Sequence, residues 1–110
     1  MSVLDDAGFA ALADEALGRL FEQLEDKVGD QADVEFQEGI LTVDFERDGR
    51  FVINKHQPNR QIWLASPVSG AAHFRWDGSG WASTRGGARL LDVLSADISK
   101  LAGVPVDLAI

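Results

Sequence analysis

The chain has 110 residues, 45% of them hydrophobic, so it can bury the core of one small domain. It has no cysteine, which excludes disulfides, thiolate metal sites and a cysteine nucleophile. The net charge is −8, and residues 1–48 hold 14 acidic side chains against three basic ones. Such a balance repels nucleic acid and anionic lipid, and it attracts cations or a basic protein surface.

The first segment of the chain predicts a helix over about residues 5–28. Apolar side chains recur every three or four residues from Phe9 to Leu24 and form one stripe, and Asp5 or Asp6 is placed to cap the first turn. The start, MSVLDDAGF, has no basic region and no long apolar run, so no signal peptide is predicted. No segment has the roughly 20 apolar residues that a membrane-spanning helix needs. We therefore expect a cytoplasmic protein with no membrane partner.

The rest of the chain predicts strands followed by a second helix. Turn signals and alternating apolar residues place about six strands over residues 33–84, and a second apolar stripe predicts a helix over about 89–102. The tail, residues 103–110, is apolar at every other position and is expected to pack along the helices. This order predicts an α+β fold in one domain spanning 1–110. The expected architecture is a two-layer α/β sandwich, with two helices on one face of a roughly six-stranded antiparallel sheet and the other face uncovered.

The first helix carries an acidic face. On a wheel of 100° per residue, five carboxylates lie away from the apolar stripe, and only Arg19 is placed to neutralise neighbours, through Glu15 and Glu22. The five are Asp14, Glu15, Glu22, Glu25 and Asp26, and the row continues with Asp30, Asp33 and Glu35. Such a face is most often a solvated surface, but one that lacks interspersed lysines is a candidate site for a cation or a basic partner. Carboxylates without Cys or clustered His suit hard ions such as iron, manganese, calcium or magnesium, bound weakly and hydrated.

The strand around Trp63 indicates a second surface. In the stretch QIWLA, Ile62 and Leu64 point to one side and Trp63 to the other, so an aliphatic pair that faces the core leaves the indole on the uncovered face. A register shift of one residue would bury the indole instead. On the first interpretation the ring is an apolar anchor inside a polar rim, as in protein-binding patches. The residues of this rim are Asn54, Gln57, Asn59, Arg60, Gln61 and Arg75. The isolated His56 and His73 match no metal-binding or catalytic pattern.

Several segments resemble the frataxin family, specifically its bacterial CyaY-type members. They are GILTVDF, FVINKHQPNRQIWLASPVSG, FRWDGSGW and the closing leucine-rich helix, and the likeness covers nearly all of residues 5–108. The resemblance implies a non-enzymatic protein that binds iron, or another hard divalent cation, along a ridge of surface acids. It also implies docking on the cysteine desulfurase and the scaffold protein of iron–sulfur cluster assembly. His56 departs from the family, since relatives commonly have glutamine there.

The resemblance also assigns roles to the two surfaces. The implied ridge positions are Asp14, Glu15, Glu22, Glu25, Asp26, Asp30, Asp33 and Glu35, and they would contact an arginine-rich surface of the desulfurase. The implied scaffold-binding positions are Asn54, Gln61 and Trp63, to which the polar rim adds Gln57 and Arg60. We expect a monomer that iron load can drive into oligomers.

Three alternatives remain open. The acids could serve only to dock a basic partner, as in a metal-independent adaptor. The protein could be a ferroxidase or iron-storage protein, although the sequence lacks a di-iron EXXH pair. A single-stranded nucleic acid could stack its bases on Trp63, although the net charge of −8 opposes this.

Overall fold

A computed structural model describes residues 5–109 and contains two α-helices and six strands. The elements are α1 (Asp6–Val28), β1 (Asp33–Gln37), β2 (Ile40–Asp44), β3 (Arg50–His56), β4 (Gln61–Ser66), β5 (Gly70–Trp76), β6 (Trp81–Ser83) and α2 (Leu90–Ala102). The strands form one antiparallel sheet whose spatial order is the order of the chain. The predicted α+β fold, with two helices and a six-stranded antiparallel sheet, is confirmed.

Helix α1 begins and ends where its sequence predicts. The carboxylate of Asp5 accepts a hydrogen bond from the backbone N–H of Gly8 at 2.7 Å, which satisfies a free donor in the first turn. The last residue is Val28, and Gly29 follows as the C-cap. The apolar stripe is buried at Phe9, Ala13, Ala16, Leu17, Leu20, Leu24 and Val28.

The core lies between the helices and one face of the sheet. That face contributes Leu41, Val43, Phe51, Ile53, Ile62, Leu64 and Phe74, all of them buried. Helix α2 adds Leu90, Leu94 and Ile98. Burying each such side chain stabilises the fold by about 1.5–3 kcal/mol before the entropy of ordering is subtracted.

A buried carboxylate fastens α2 to the turn between β4 and β5. Asp97 is 7% exposed and accepts a hydrogen bond from the hydroxyl of Ser66 at 2.8 Å and another from Ser69. The Ser66 hydroxyl in turn accepts from the backbone N–H groups of Val68 and Ser69. The turn that leads from β4 to β5 is thus held against the helix layer.

The C-terminal tail packs along the helices through two of its apolar residues. Val106 and Leu108 are buried, and their backbone N–H groups donate to Ser99 at 2.7 Å and to Ser95 at 3.1 Å. Val104, in contrast, is 49% exposed, because it follows the left-handed Gly103 at the point where the chain turns away from α2. Ile110, also predicted to pack, lies outside the described residues.

Within residues 5–109, neither helix combines the length and the apolar character that a membrane span requires.

Candidate functional site

Acidic side chains run from α1 through the following turn onto β1. We call this surface the acidic ridge, and it consists of Asp14, Glu15, Glu22, Glu25, Asp26, Asp30, Asp33 and Glu35, all exposed. Helical spacing places the first five away from the buried stripe of α1. On β1, Asp33 and Glu35 alternate with the buried Val34 and so point away from the core.

Two ridge carboxylates have basic partners. Arg19 lies 3.7 Å from Glu15, as helical spacing predicts, and Lys55 Nζ lies 3.0 Å from Asp14. The second pair corrects the expectation that only Arg19 neutralises the ridge, because β3 brings Lys55 beside the helix from 41 residues away in the chain. Arg19 forms no salt bridge with Glu22.

The other six ridge carboxylates make no salt bridge within residues 5–109. The Arg19–Glu15 pair is exposed, and such pairs are worth only about 0–1 kcal/mol, whereas the Lys55 side chain of the second pair is partly buried at 23% exposure. Most of the negative charge of the ridge is therefore left for an external cation or a basic surface. Among the same described residues, no three His, Asp or Glu side chains are grouped closely enough to hold one metal ion.

The open face of the sheet carries Trp63. Its neighbours Ile62 and Leu64 are 0% and 2% exposed on the core side, so the indole points to the opposite side. Strand register places Asn54 directly beside Trp63 on the same face. The indole N–H donates to the side-chain oxygen of Gln61 at 2.8 Å. Three of the predicted scaffold-binding residues are thus brought together.

Gln57 and Arg60 lie elsewhere. The guanidinium of Arg60 lies 2.8 Å from the carboxylate of Asp6, and the amide of Gln57 donates to the backbone carbonyl of Asp6 at 3.0 Å. Both side chains therefore fasten the β3–β4 turn to the start of α1. The structure does not group them with Trp63.

Two histidines enclose the indole of Trp63. The His56 ring is stacked on one face at a centroid distance of 3.6 Å, and the His73 ring on the other at 4.2 Å, each tilted by only 8°. All three side chains are half-buried, and His56 Nδ1 is buried without a hydrogen-bond partner in the described residues. We call this arrangement the His–Trp–His stack. The two histidines are 17 residues apart in the sequence and match no spaced motif, so the stack was not predicted.

Charge is distributed unevenly across the open face. On the β1–β2 side it carries Asp33, Glu35 and Asp44, whereas Arg50 and Arg75 lie on β3 and β5. Neither arginine forms a salt bridge with any described residue. Arg50 is paired in register with Asp44, whereas Arg75 is level with Gln61 and His56 at the other end of the face, so only Arg75 lies beside the stack.

The fold and its two surfaces define the class of protein: a small α/β sandwich in which two helices cover one face of an antiparallel six-stranded sheet. An acidic border and an aromatic cluster on the open face are its distinctive surface features. Both are suited to binding ions or other proteins.

The frataxin-like domain family matches residues 2–104, and the chain belongs to this family. It is 38% identical over 103 residues to the iron–sulfur cluster assembly protein CyaY of Dechloromonas aromatica, covering 91% of this chain and 94% of that protein. It is 36% identical to the mitochondrial frataxin of Arabidopsis thaliana over 98% of this chain, but it spans only 61% of that protein's length. The resemblance drawn from the sequence is confirmed.

Solved structures agree with this assignment. Frataxin from Psychromonas ingrahamii superposes with a TM-score of 0.84 at 31% identity, covering 96% of this chain and 99% of that one. A trimeric frataxin from Saccharomyces cerevisiae, complexed with ferrous iron, gives a TM-score of 0.76 at 34% identity, with coverage of 94% and 90%.

Proposed function

We propose that this protein takes part in iron–sulfur cluster assembly in the bacterial cytoplasm, and that it binds iron on the acidic ridge and modulates a complex of a cysteine desulfurase with its scaffold protein. It does so without an enzymatic activity of its own. Membership of the frataxin-like family and the likeness to bacterial proteins named for cluster assembly support the pathway. The observation that carries the role of the ridge is its set of six exposed carboxylates without salt-bridge partners in the described residues.

The chemistry of the ridge favours weak binding of hard cations. Its donors are carboxylate oxygens, which suit Fe²⁺, Fe³⁺, Mn²⁺, Ca²⁺ and Mg²⁺. Like charges three or four residues apart on α1, such as Glu22, Glu25 and Asp26, repel each other, and a bound cation relieves this repulsion. A convex helix surface supplies few ligands to any one ion, so the ion keeps much of its water. We expect affinities of about micromolar, or roughly −8 kcal/mol.

Docking uses both surfaces. The ridge faces a basic surface of the desulfurase, and the open face contacts the scaffold protein through Asn54, Gln61 and Trp63. Arg75 lies opposite Gln61 on the same face and would favour an acidic side chain on the scaffold segment that docks there. Gln57 and Arg60 hold the β3–β4 turn against the start of α1, so we place this turn at the border of the contact area.

An anaerobic titration with Fe²⁺, followed by amide NMR signals, tests the ridge. We expect shifts and broadening at Glu22, Glu25, Asp26 and Asp33. The double variant E22Q/E25Q should bind at least about tenfold more weakly, since each carboxylate attracts a divalent ion about 4 Å away by about 2 kcal/mol in water before salt screening. The control D92N/D107N removes the same charge from α2 and the tail. Equal weakening in both variants, or signal changes confined to the two histidines, would contradict iron binding at the ridge.

A metal-independent adaptor is the second candidate. The observation that favours it is that the ridge already pairs with basic side chains, Lys55 and Arg19. An assembly assay with purified desulfurase and scaffold protein, run over a range of iron concentrations, separates the two functions. Modulation that depends on iron supports the first proposal. An effect of this protein that is the same at every iron concentration, but is lost in E22K/E25K, supports the adaptor.

A further inference from the structure

The His–Trp–His stack restricts how a partner can reach the indole. Two parallel rings cover its two faces at centroid distances of 3.6 and 4.2 Å. Stacked base recognition and cation–π contact both need an open ring face, which Trp63 does not offer. What remains for a partner is the edge of the indole, between the edges of the two imidazoles.

The stack also fixes the orientation of the indole. An unsupported tryptophan on an open sheet face samples several rotamers, and binding must pay the entropy of selecting one. Here the imidazoles on both faces oppose rotation of the indole. Its N–H edge is held separately, by a hydrogen bond of 2.8 Å to Gln61, and the other ring edge stays available to a partner. The residues come from three neighbouring strands: His73 on β5 is directly opposite Trp63, whereas His56 on β3 is opposite Gln61 and reaches the indole diagonally. The arrangement therefore exists before any partner arrives.

We propose that His56 and His73 are positioning residues that hold Trp63 as a preformed, edge-on anchor for the scaffold protein. This inference rests on the proposed docking at the open face. The surface of the scaffold protein that fits this anchor is an aliphatic segment that packs against the edges of the three rings. The histidines contribute to binding only by positioning Trp63. They do so through the flat shape of their imidazole rings, not through imidazole chemistry.

Alanine and phenylalanine substitutions separate shape from imidazole chemistry. Binding to purified scaffold protein is measured by calorimetry for W63A, H56A, H73A, H56F and H73F, with T42A on the same face as a control. We expect W63A to lose about thirtyfold in affinity, as for a central anchor. Each histidine-to-alanine change should lose roughly two- to tenfold, the cost of ordering one freed side chain. The phenylalanine variants keep a stacked ring and should stay within about twofold of the unaltered protein.

A double-mutant cycle tests whether the histidines act through the indole. In a W63A background, H56A and H73A should change affinity by less than about twofold, because nothing is left to position. In the unbound protein, the ring current of the indole should shift the imidazole proton signals of both histidines upfield, which reports the stack without any partner. Thermal unfolding of each variant verifies that it is folded.

The outcomes are distinguishable. If W63A binds the scaffold protein as well as the unaltered protein does, docking at this face is wrong. If W63A weakens binding but the phenylalanine variants are as weak as the alanine ones, or the alanine losses persist in the W63A background, then the histidines contact the partner themselves and the positioning role is wrong. Imidazole signals without upfield shifts overturn the stack itself.

Discussion

Gly18 lies in the middle of α1, where glycine is the least suitable residue apart from proline. Replacing it with alanine should stabilise the protein by about 1 kcal/mol, because alanine loses less backbone freedom on folding. The structure has room for the added methyl group: a Cβ at this position would lie 4.0 Å from Phe36 Cε2, an ordinary van der Waals distance. Neither strain nor a clash offsets the gain.

The assay is thermal unfolding followed by circular dichroism at 222 nm. A gain of about 1 kcal/mol corresponds to a rise in Tm of about 4 °C for a domain near 100 residues. Gly103→Ala is the matched control, since it adds the same methyl group where nothing lies within 4 Å but φ is +74°. That left-handed conformation costs a non-glycine residue roughly 1 kcal/mol, so Tm should fall.

The test depends on the two variants shifting Tm in opposite directions. A G18A protein with an unchanged or lower Tm would show that α1 is not a regular helix at this point, or that the contact with Phe36 is tighter than described. A G103A protein with a raised Tm would refute the left-handed end of α2. G18A leaves all the ridge carboxylates in place, so its Fe²⁺ titration should match that of the unaltered protein.

Two further predictions concern the turn before β6 and the tail. A backbone hydrogen bond from Ser79 at 3.0 Å, with help from the Arg89 guanidinium, lowers the pKa of Asp77 from 3.8 to about 2. A depressed pKa means that the ionised carboxylate stabilises the fold above pH 3.8 and loses this effect as pH falls to about 2. D77N should therefore show a lower Tm than the unaltered protein above about pH 4, with a gap that closes near pH 2; a gap independent of pH would contradict this. In the tail, L108A should cost about 2 kcal/mol in urea unfolding because Leu108 is buried, whereas V104A should stay within about 0.5 kcal/mol. Equal effects would show that the tail does not pack.

Local patterns in the sequence were sufficient for the fold. The parity of Ile62, Trp63 and Leu64 determined which face each side chain occupies, because an aliphatic pair at alternate positions marks the core side. The start of α1 was predicted from a capping carboxylate at Asp5 or Asp6, and the structure shows that Asp5 is the cap. These signals act within a few residues, so a single sequence contains them. The acids of the ridge were predictable as one exposed row for the same reason.

Contacts between distant segments could not be predicted in this way. The pairing of Lys55 with Asp14 depends on which strand lies beneath α1. The stack of His73 on Trp63 depends on the β4–β5 register, which the length of the intervening turn sets. Arg60, assigned to the open face by its closeness to Trp63 in sequence, turns instead toward Asp6. In each case, whether the two side chains meet depends on how two distant elements are placed relative to each other.

The acidic ridge and the open face share Asp33 and Glu35 on β1, and β3 connects them a second time. Successive residues of a strand point to opposite sides, so Lys55 reaches Asp14 on the helix side while His56 contributes to the stack on the other. If the ridge binds a cation or a basic partner as proposed, that ligand competes with Lys55 for Asp14, and Lys55 directly precedes His56 in β3. Attraction at the ridge acts at long range and is screened by salt, whereas the packing of an apolar segment on ring edges acts only on contact. On the proposed function, we therefore expect the ridge mainly to accelerate association with the desulfurase–scaffold complex and the stack mainly to slow dissociation. On the proposed function, the desulfurase–scaffold complex must present a basic surface and an apolar segment at the spacing that β3 sets, and this geometric requirement would make the two surfaces selective together.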